Sequence, residues 1–281
     1  MHNLNLTDET FDINQSNNYI LLMQSGLNGF TYAICDTVRN KCILLKHFAS
    51  QCSSWEEFRN FQELILDSEN ILQSSFKGIH HIVNYPQFTA VPEDFIPDKL
   101  LDYELFFPGL SNSDTTITAS NNSQLKTAIL CPYPNRLIGL LQKRFNCVKL
   151  SHNALPFALN LVNESNKTLR YLVHMIVQEG SVIIGVAQSG KLAFLNIFKT
   201  ETFEDLLYYM LSVLEKFKII PLQAELYLIN ETENKSIPAK IEAHVSKVRM
   251  IKASQSLVYS YIFTDEVLEH FANMLNLYNC E

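Results

Sequence analysis

The sequence has no run of residues that announces a chemistry by itself. It lacks GxSxG, HExxH, a Walker-type phosphate loop and a two-domain dinucleotide fingerprint. The nearest approach to a phosphate loop, Ser189-Gly190-Lys191, has no preceding glycine and no following helix, and reads as a hairpin turn. Its six cysteines form no CxxC pair and have no histidine at zinc-ligand spacing, which argues against a zinc module and for reduced, buried thiols. Basic residues are few and scattered: 22 Lys and Arg stand against 29 Asp and Glu, for a net charge of −7. The densest cluster is Lys240, Lys247, Arg249 and Lys252. That balance argues against a nucleic-acid binder, whose affinity rests on neutralising phosphates. The longest apolar runs are strand-sized, far short of the roughly 20 residues of a membrane helix. The first fifteen residues are polar, with no basic and then apolar segment of a signal peptide, so a cytoplasmic protein without a transmembrane segment is expected.

What is present is a hydrophobic content of 47% over 281 residues, enough for a packed core and about the length of two domains. The pattern along the chain repeats. In the first half, strand patterns at 19–24, 30–36 and 41–48 are joined by turn signals and read as an antiparallel meander. A helix follows, opened by the capping box Ser54-Trp55-Glu56-Glu57 and carrying Trp55, Phe58, Phe61, Ile65 and Leu72 on one face. A strand at 79–85 then ends at Pro86. In the second half, strands at 170–178, 181–188 and 191–199 lead to a helix opened by Thr202-Phe203-Glu204-Asp205 and then a strand at 224–230.

Between the two units the pattern predicts a short helix at 97–106, an exposed Ser/Asn/Thr loop at 111–123, and a strand at 128–132. A helix at 135–145, a strand at 147–151, a helix at 153–163 and a linker at 163–167 complete the connection. The C-terminal part predicts strands at 245–253 and 257–263 and a helix at 265–277 capped by Thr264. The fold class expected is α/β, with two lobes at 1–163 and 168–281, each starting with a three-stranded meander followed by a helix and further strands.

On 21–36, 83–96 and 177–198, over nearly the whole chain, this pattern resembles the actin-like ATPase superfamily with its duplicated ribonuclease-H-like fold. That superfamily includes sugar kinases, actin, heat-shock ATPase chaperones and the actin-like proteins of type IV pilus assembly. The chain looks most like an uncharacterised bacterial branch, a domain of unknown function. In active members the resemblance implies an Asp-x-Gly motif on the first hairpin of each half, whose turn amides hold phosphates while the Asp organises Mg²⁺ waters. Here Gly26 and Gly180 match the glycines, but Gln24 and Gln178 stand at the Asp positions. The glycine pair that contacts adenosine should follow the strand at 224–230, where the chain reads Asn230-Glu231-Thr232-Glu233. Amide side chains cannot neutralise a hard cation, and without glycine the backbone approaches phosphate less closely.

The expectation is therefore a non-catalytic interaction or scaffold protein with a degenerate nucleotide cleft, no cofactor, no metal site, and a protein partner; a homodimer is compatible with the same sequence. The candidate cleft residues are Gln24, Ser25, Gly26, Asn28, Gly29, Gln178, Glu179, Gly180 and Asn230. Gln24 and Gln178 read either as paired amides between the halves or as strand ends facing water. Gly26, Asn28 and Gly29 read as a residual phosphate loop or as turn residues of positive φ. Phe106, Phe107 and Leu110, before the polar loop, are candidate docking residues. The alternative is an ATPase or kinase-type phosphotransferase using ATP and Mg²⁺ through Glu179, Asp36 or Asp205. Of the adjacent pair His80-His81, strand alternation predicts one buried and one exposed. Cys35 and Cys42 are candidate cross-strand neighbours.

Overall fold

The computed structural model describes residues 3–96, 106–107 and 114–280. In chain order the elements are β1 (Leu4–Thr7), β2 (Tyr19–Gly26), β3 (Gly29–Asp36), β4 (Lys41–Ala49), α1 (Trp55–Ser68), β5 (Gly78–Val83), β6 (Thr89–Pro92), β7 (Thr115–Ser120), β8 (Thr127–Pro134), α2 (Asn135–Arg144), β9 (Lys149–His152) and α3 (Ala154–Ser165). They continue with β10 (Leu172–Gln178), β11 (Ser181–Gln188), β12 (Lys191–Lys199), α4 (Phe203–Lys216), β13 (Glu225–Asn230), α5 (Ile237–Glu242), β14 (Lys247–Met250), β15 (Val258–Tyr259), α6 (Asp265–His270) and α7 (Ala272–Asn276).

The sequence repeat becomes a repeat of sheet topology. The first sheet runs β1-β4-β3-β2-β5-β9, and β15 joins it beside β4. The second runs β12-β11-β10-β13-β14. In both, three antiparallel strands are followed by two parallel ones: β5 and β9 in the first, β13 and β14 in the second. A third, three-stranded sheet, β6-β8-β7, shares no hydrogen-bonded ladder with these but packs against them, with Tyr133 of β8 in the core of the first sheet and Ile129 in that of the second.

Each large sheet is covered on both faces, which is why β2 reads as an unbroken apolar run instead of an alternating one. Alternate residues serve different cores. Leu21 and Met23 of β2 pack with Phe58 and Leu66 of α1 and with Leu137 and Leu141 of α2. Ile20 and Leu22 pack instead with Phe271, Met274 and Leu275 at the C-terminal end of the chain. In the second sheet, Val173 and Met175 meet Leu206 and Met210 of α4. Ile176 and Ile183 meet Leu155, Phe157 and Leu161 of α3.

The halves therefore exchange elements. Helix α3, encoded before residue 166, packs on the second sheet, while of the elements encoded after residue 250 β15 joins the first sheet and α7 covers it. Buried Asn273 of α7 donates from Nδ2 to the carbonyl of Asn153 at the start of α3, 2.9 Å away, tying the two central helices together. Gly185 of β11 permits this packing, because a Cβ there would lie 2.6 Å from Leu161 and 2.9 Å from Phe157.

Several sequence expectations change. The run 111–123 is not all loop: β7 occupies Thr115–Ser120 and pairs antiparallel with β8. Its Thr and Ile residues are β-branched and suit a pleated, half-covered strand in spite of their polarity. The N-terminal segment contributes β1, in which Leu4 and Leu6 alternate with exposed residues. The expected C-terminal helix breaks at Phe271 into α6 and α7. His80 and His81 are both buried, because both sheet faces are covered. The helix expected at 97–106 lies outside the described residues apart from Phe106. Cys35 and Cys42 are register partners on β3 and β4, buried and free. No helix among the described residues is long and apolar enough to cross a membrane.

Candidate functional site

Strands β2 and β10 are the central strands of the two sheets, and each pairs in parallel with the strand after the first helix of its half. Their C-terminal ends, and the residues just after β5 and β13, come together where the halves meet. Asn84 follows β5 and Glu231 follows β13, and each is anchored through its backbone to the adjacent central strand. The Asn84 amide donates to the Ser25 carbonyl at 2.8 Å, and the Glu231 amide to the Val177 carbonyl at 2.9 Å.

Four polar side chains meet there. Glu231 Oε2 accepts hydrogen bonds from Gln178 Nε2 at 2.7 Å, Gln24 Nε2 at 3.2 Å and Asn84 Nδ2 at 3.4 Å. Gln24 and Asn84 come from the first half of the chain and Gln178 and Glu231 from the second, with 207 residues separating Gln24 from Glu231. Gln24, Gln178 and Glu231 are all buried. Burial pushes the Glu231 carboxyl up to about 7, and the hydrogen bonds from Gln178, Gln24 and Asn84 pull in the opposite direction. Three acceptors of the cluster have no partner: Glu231 Oε1, Gln24 Oε1 and Asn84 Oδ1.

The loop that presents Glu231 is shaped by asparagine turns. Asn230 Oδ1 accepts from the amide and hydroxyl of Thr232, at 3.2 and 2.8 Å, while its Nδ2 donates to the Asn234 carbonyl at 3.0 Å. Asn230 thus orders the loop, and its neighbour Glu231 enters the cluster. Sequence reasoning named Asn230 and passed over Glu231. The available signal was positional, since Glu231 follows β13 as Asn84 follows β5.

In front of Glu231 lies a cleft of about 870 Å³ lined by residues of both halves, among them Asn28, His47, Glu179, Glu233 and His270. Asn28 sits at the exposed turn between β2 and β3, and Glu179 at the exposed turn after β10. Gly180 completes that second turn with φ of +76°, where a side chain would be strained. Gly26, Asn28 and Gly29 do not take the positive φ expected of them. Gly29 is required by close approach instead: a Cβ there would lie 2.6 Å from the His47 ring and 2.9 Å from the Phe48 carbonyl. His47 is buried, with Nδ1 2.8 Å from Thr31 Oγ1 and Nε2 without a partner. Burial, with His270 nearby, holds His47 down to about 4, and burial does the same to His270.

Ser25 is turned away from the cleft. Its hydroxyl donates to Gln62 Oε1 at 3.0 Å and lies 2.7 Å from His81 Nε2, while His81 Nδ1 bonds to the Tyr133 hydroxyl. This chain is wholly buried and joins β2, α1, β5 and β8 within the first half.

The carboxylates of the alternative reading are not brought together. Glu179 lines the cleft, but Asp36 accepts from the amides of Val38 and Arg39 in the turn after β3. Asp205 accepts from the amides of Glu201 and Thr202 at the start of α4. Among the described residues no group of three His, Cys, Asp or Glu side chains is placed to hold a metal ion. Phe107 is buried against Val91, Ala128 and Leu130, with Phe106 packed on the same cluster, so its ring fills the small sheet instead of facing solvent. Leu110 lies outside the described residues.

A family model described as "Protein of unknown function (DUF3822)" matches residues 8–248. No curated protein matches the chain. Among solved structures, a protein of Bacteroides thetaiotaomicron VPI-5482 with an actin-like ATPase fold and unknown function is 14% identical. The match covers 97% of this chain and 100% of that one, with a TM-score of 0.81. A chain of the PilM–PilN type IV pilus biogenesis complex is 10% identical, with 93% of this chain and 98% of that one covered and a TM-score of 0.58.

Proposed function

We propose that this chain, which belongs to the DUF3822 family of proteins of unknown function and has the actin-like ATPase fold, acts as a non-catalytic interaction or scaffold protein. Its two lobes, expected at 1–163 and 168–281 but exchanging α3 and the C-terminal segment, are clamped by side chains where a nucleotide would otherwise bridge them. The observation that carries this reading is the convergence of Gln24, Asn84 and Gln178 on one oxygen of Glu231.

A triphosphate with Mg²⁺ needs carboxylates facing the metal and amide donors facing the phosphates. In this cluster the side-chain amide donors are turned onto a protein carboxylate, so they are already used. The Glu231 carboxylate stands at the junction of the two sheets, where it would repel a polyanion. A fold held together by its own side chains presents a two-lobed surface whose shape does not depend on a bound nucleotide. The fold is shared with a chain of the PilM–PilN complex, a protein that is solved with a partner, and this supports a protein partner here as well.

The test is a thermal-shift titration of the full chain with ATP, ADP and GTP, each with and without Mg²⁺. No stabilisation at millimolar concentration is expected. A ligand present at 100 times its dissociation constant stabilises by about 2.7 kcal/mol, well within detection. A Mg²⁺-dependent shift with any of the three would overturn the scaffold reading in favour of an ATPase or kinase-type phosphotransferase.

A further inference from the structure

We propose that a groove at the base of the second sheet docks an acidic segment of a partner protein through an aromatic anchor. The groove lies at the end of the sheet remote from the cleft. Its wall takes Leu172 and Val173 from the start of β10, Glu225 and Tyr227 from β13, and residues 217–220 after α4, around a volume of about 960 Å³. Apolar side chains crowd the rim. Leu169, Leu222 and Ile220 are 85%, 75% and 57% exposed, and Tyr171 is exposed as well. Tyr171 and Ile220 line the groove, while Leu169 adjoins the lining residue Arg170 and Leu222 adjoins Gln223. None of the four belongs to a buried cluster of the fold, and Tyr171 meets Phe217 edge to face at 5.1 Å. Single exposed apolar side chains are ordinary, but four around one groove mark an interaction surface.

The charge of this end is opposite to that of the chain, which carries −7. Lys167, Arg170 and Lys218 line the groove against Glu164 and Glu225. Both carboxylates are answered within the protein: Glu164 accepts from Lys167 at 2.9 Å, and Glu225 from Arg249 Nε at 3.3 Å. Arg249 first, then Lys247 and Arg170, hold the Glu225 carboxyl below the ordinary glutamate value. Next to the wall, Glu215 and Lys216 are of opposite sign, and Glu242 is turned onto the Val248 amide at 3.3 Å. The C-terminal ends of α3 and α4 add about half a negative charge each, which the cations exceed. An apolar groove with a cationic rim selects carboxylates on its partner.

The first half has the same end of its sheet covered by the chain itself. Tyr19 stands five residues before Gln24 as Val173 stands five before Gln178, and each faces the helix-covered core of its own half. Phe11 stacks on Tyr19 with ring centroids 6.3 Å apart, and the Tyr19 hydroxyl donates to the Asp12 carbonyl at 3.1 Å. The covering segment reads Asp8-Glu9-Thr10-Phe11-Asp12-Ile13, an aromatic residue among carboxylates, and Asp8 meets Lys41 at 2.8 Å. In the second half only residues 166–171 stand between α3 and β10, and the groove stays open. A partner segment of the same chemistry supplies the cover.

This inference gives a docking surface to the partner that the scaffold reading calls for and rests on that reading, but the two fail separately. A Mg²⁺-nucleotide shift overturns the scaffold reading without touching peptide binding. The groove is tested by selecting a displayed library of random dodecapeptides on the full chain, then measuring the affinity of synthesised, enriched peptides by fluorescence anisotropy. Peptides with an aromatic residue flanked by Asp and Glu should be enriched and should bind one per chain. Ile220→Asp and Leu222→Asp should each weaken them about tenfold or more, and Arg170→Glu about tenfold with a reduced salt dependence. Leu64→Asp, an equally exposed change on α1, should leave the affinity as it is. The three groove variants sit on the surface, and any that lowers the thermal midpoint is set aside in favour of the other two. Enrichment of no sequence, of peptides without acidic residues, or of peptides whose affinity survives the groove variants overturns the proposal. Sedimentation showing a self-associated chain that Leu222→Asp disperses overturns it too, by assigning the groove to a second copy.

Discussion

At the scale of single residues, Glu231 decides most of what is particular to this protein. A carboxylate removed from water is penalised, and three amide donors on one oxygen compensate only in part. Its folded-state pKa of about 7 lies above the ordinary glutamate value of 4.5. The protonated group contributes stability fully below about pH 4.5, and that contribution is lost as the pH rises through 7. Glu231→Gln keeps the shape and the acceptor oxygen but does not titrate. The variant should therefore be more stable than the wild type at pH 8, by up to roughly 3 kcal/mol, with the gap shrinking steadily towards pH 5. Urea unfolding of both proteins across that range measures it, and a gap that does not change with pH would show that the folded protein does not raise the Glu231 pKa above its unfolded value.

At the scale of elements, most of the architecture was legible because local chemistry and tertiary position agree. Helix α4 begins where Thr202 and Asp205 form a complete capping box, the Asp205 amide donating to Thr202 Oγ1 and the Thr202 amide to the Asp205 carboxylate. Thr202→Ala should cost about 1 kcal/mol, read as a lowered denaturation midpoint with an unchanged slope. At α1 the box is incomplete: Ser54 caps the Glu57 amide, but the Glu57 carboxylate reaches the Ser53 amide instead. Gly185 has no local reason to be glycine on β11, and its role is visible only against α3. Gly185→Ala should destabilise by about 1–3 kcal/mol, the usual range for overpacking, because Leu161 and Phe157 must give way. Wild-type stability in this variant would mean that α3 can shift at little cost. Strand β7 was misread because its threonines count as polar by composition, although their β-branching and pairing with β8 make a strand.

At the scale of the molecule, the exchange of elements makes the two halves interdependent. The inner face of the first sheet is covered by Phe263, Phe271, Met274, Leu275 and Leu277 from the end of the chain. A truncation after residue 252 should therefore expose that face and abolish cooperative unfolding, although it leaves the second sheet and α4 intact. Thermal denaturation followed by circular dichroism, with sedimentation to detect association, checks this. A sharp transition in a monomeric truncated chain would contradict it. The same covering links the ends of the chain to the cleft, because His270 in the cleft wall immediately precedes Phe271 in the core.

The sequence by itself determined the order of the elements and the repeat, because apolar periodicity, turn residues and caps act over a few neighbours and operate in the same way in both halves. It also placed the two glutamines at strand ends where the resemblance led one to look for aspartates. Only the tertiary structure decided that Gln24, Asn84, Gln178 and Glu231 share one point, that Ser25 turns inward to His81, and that α3 and α7 cross between the sheets. The first and the last of these depend on how two sheets more than a hundred residues apart in the chain are set against each other, and the second on how β2, α1, β5 and β8 pack within the first half. No local pattern encodes that placement, because it follows from burying every apolar face at once.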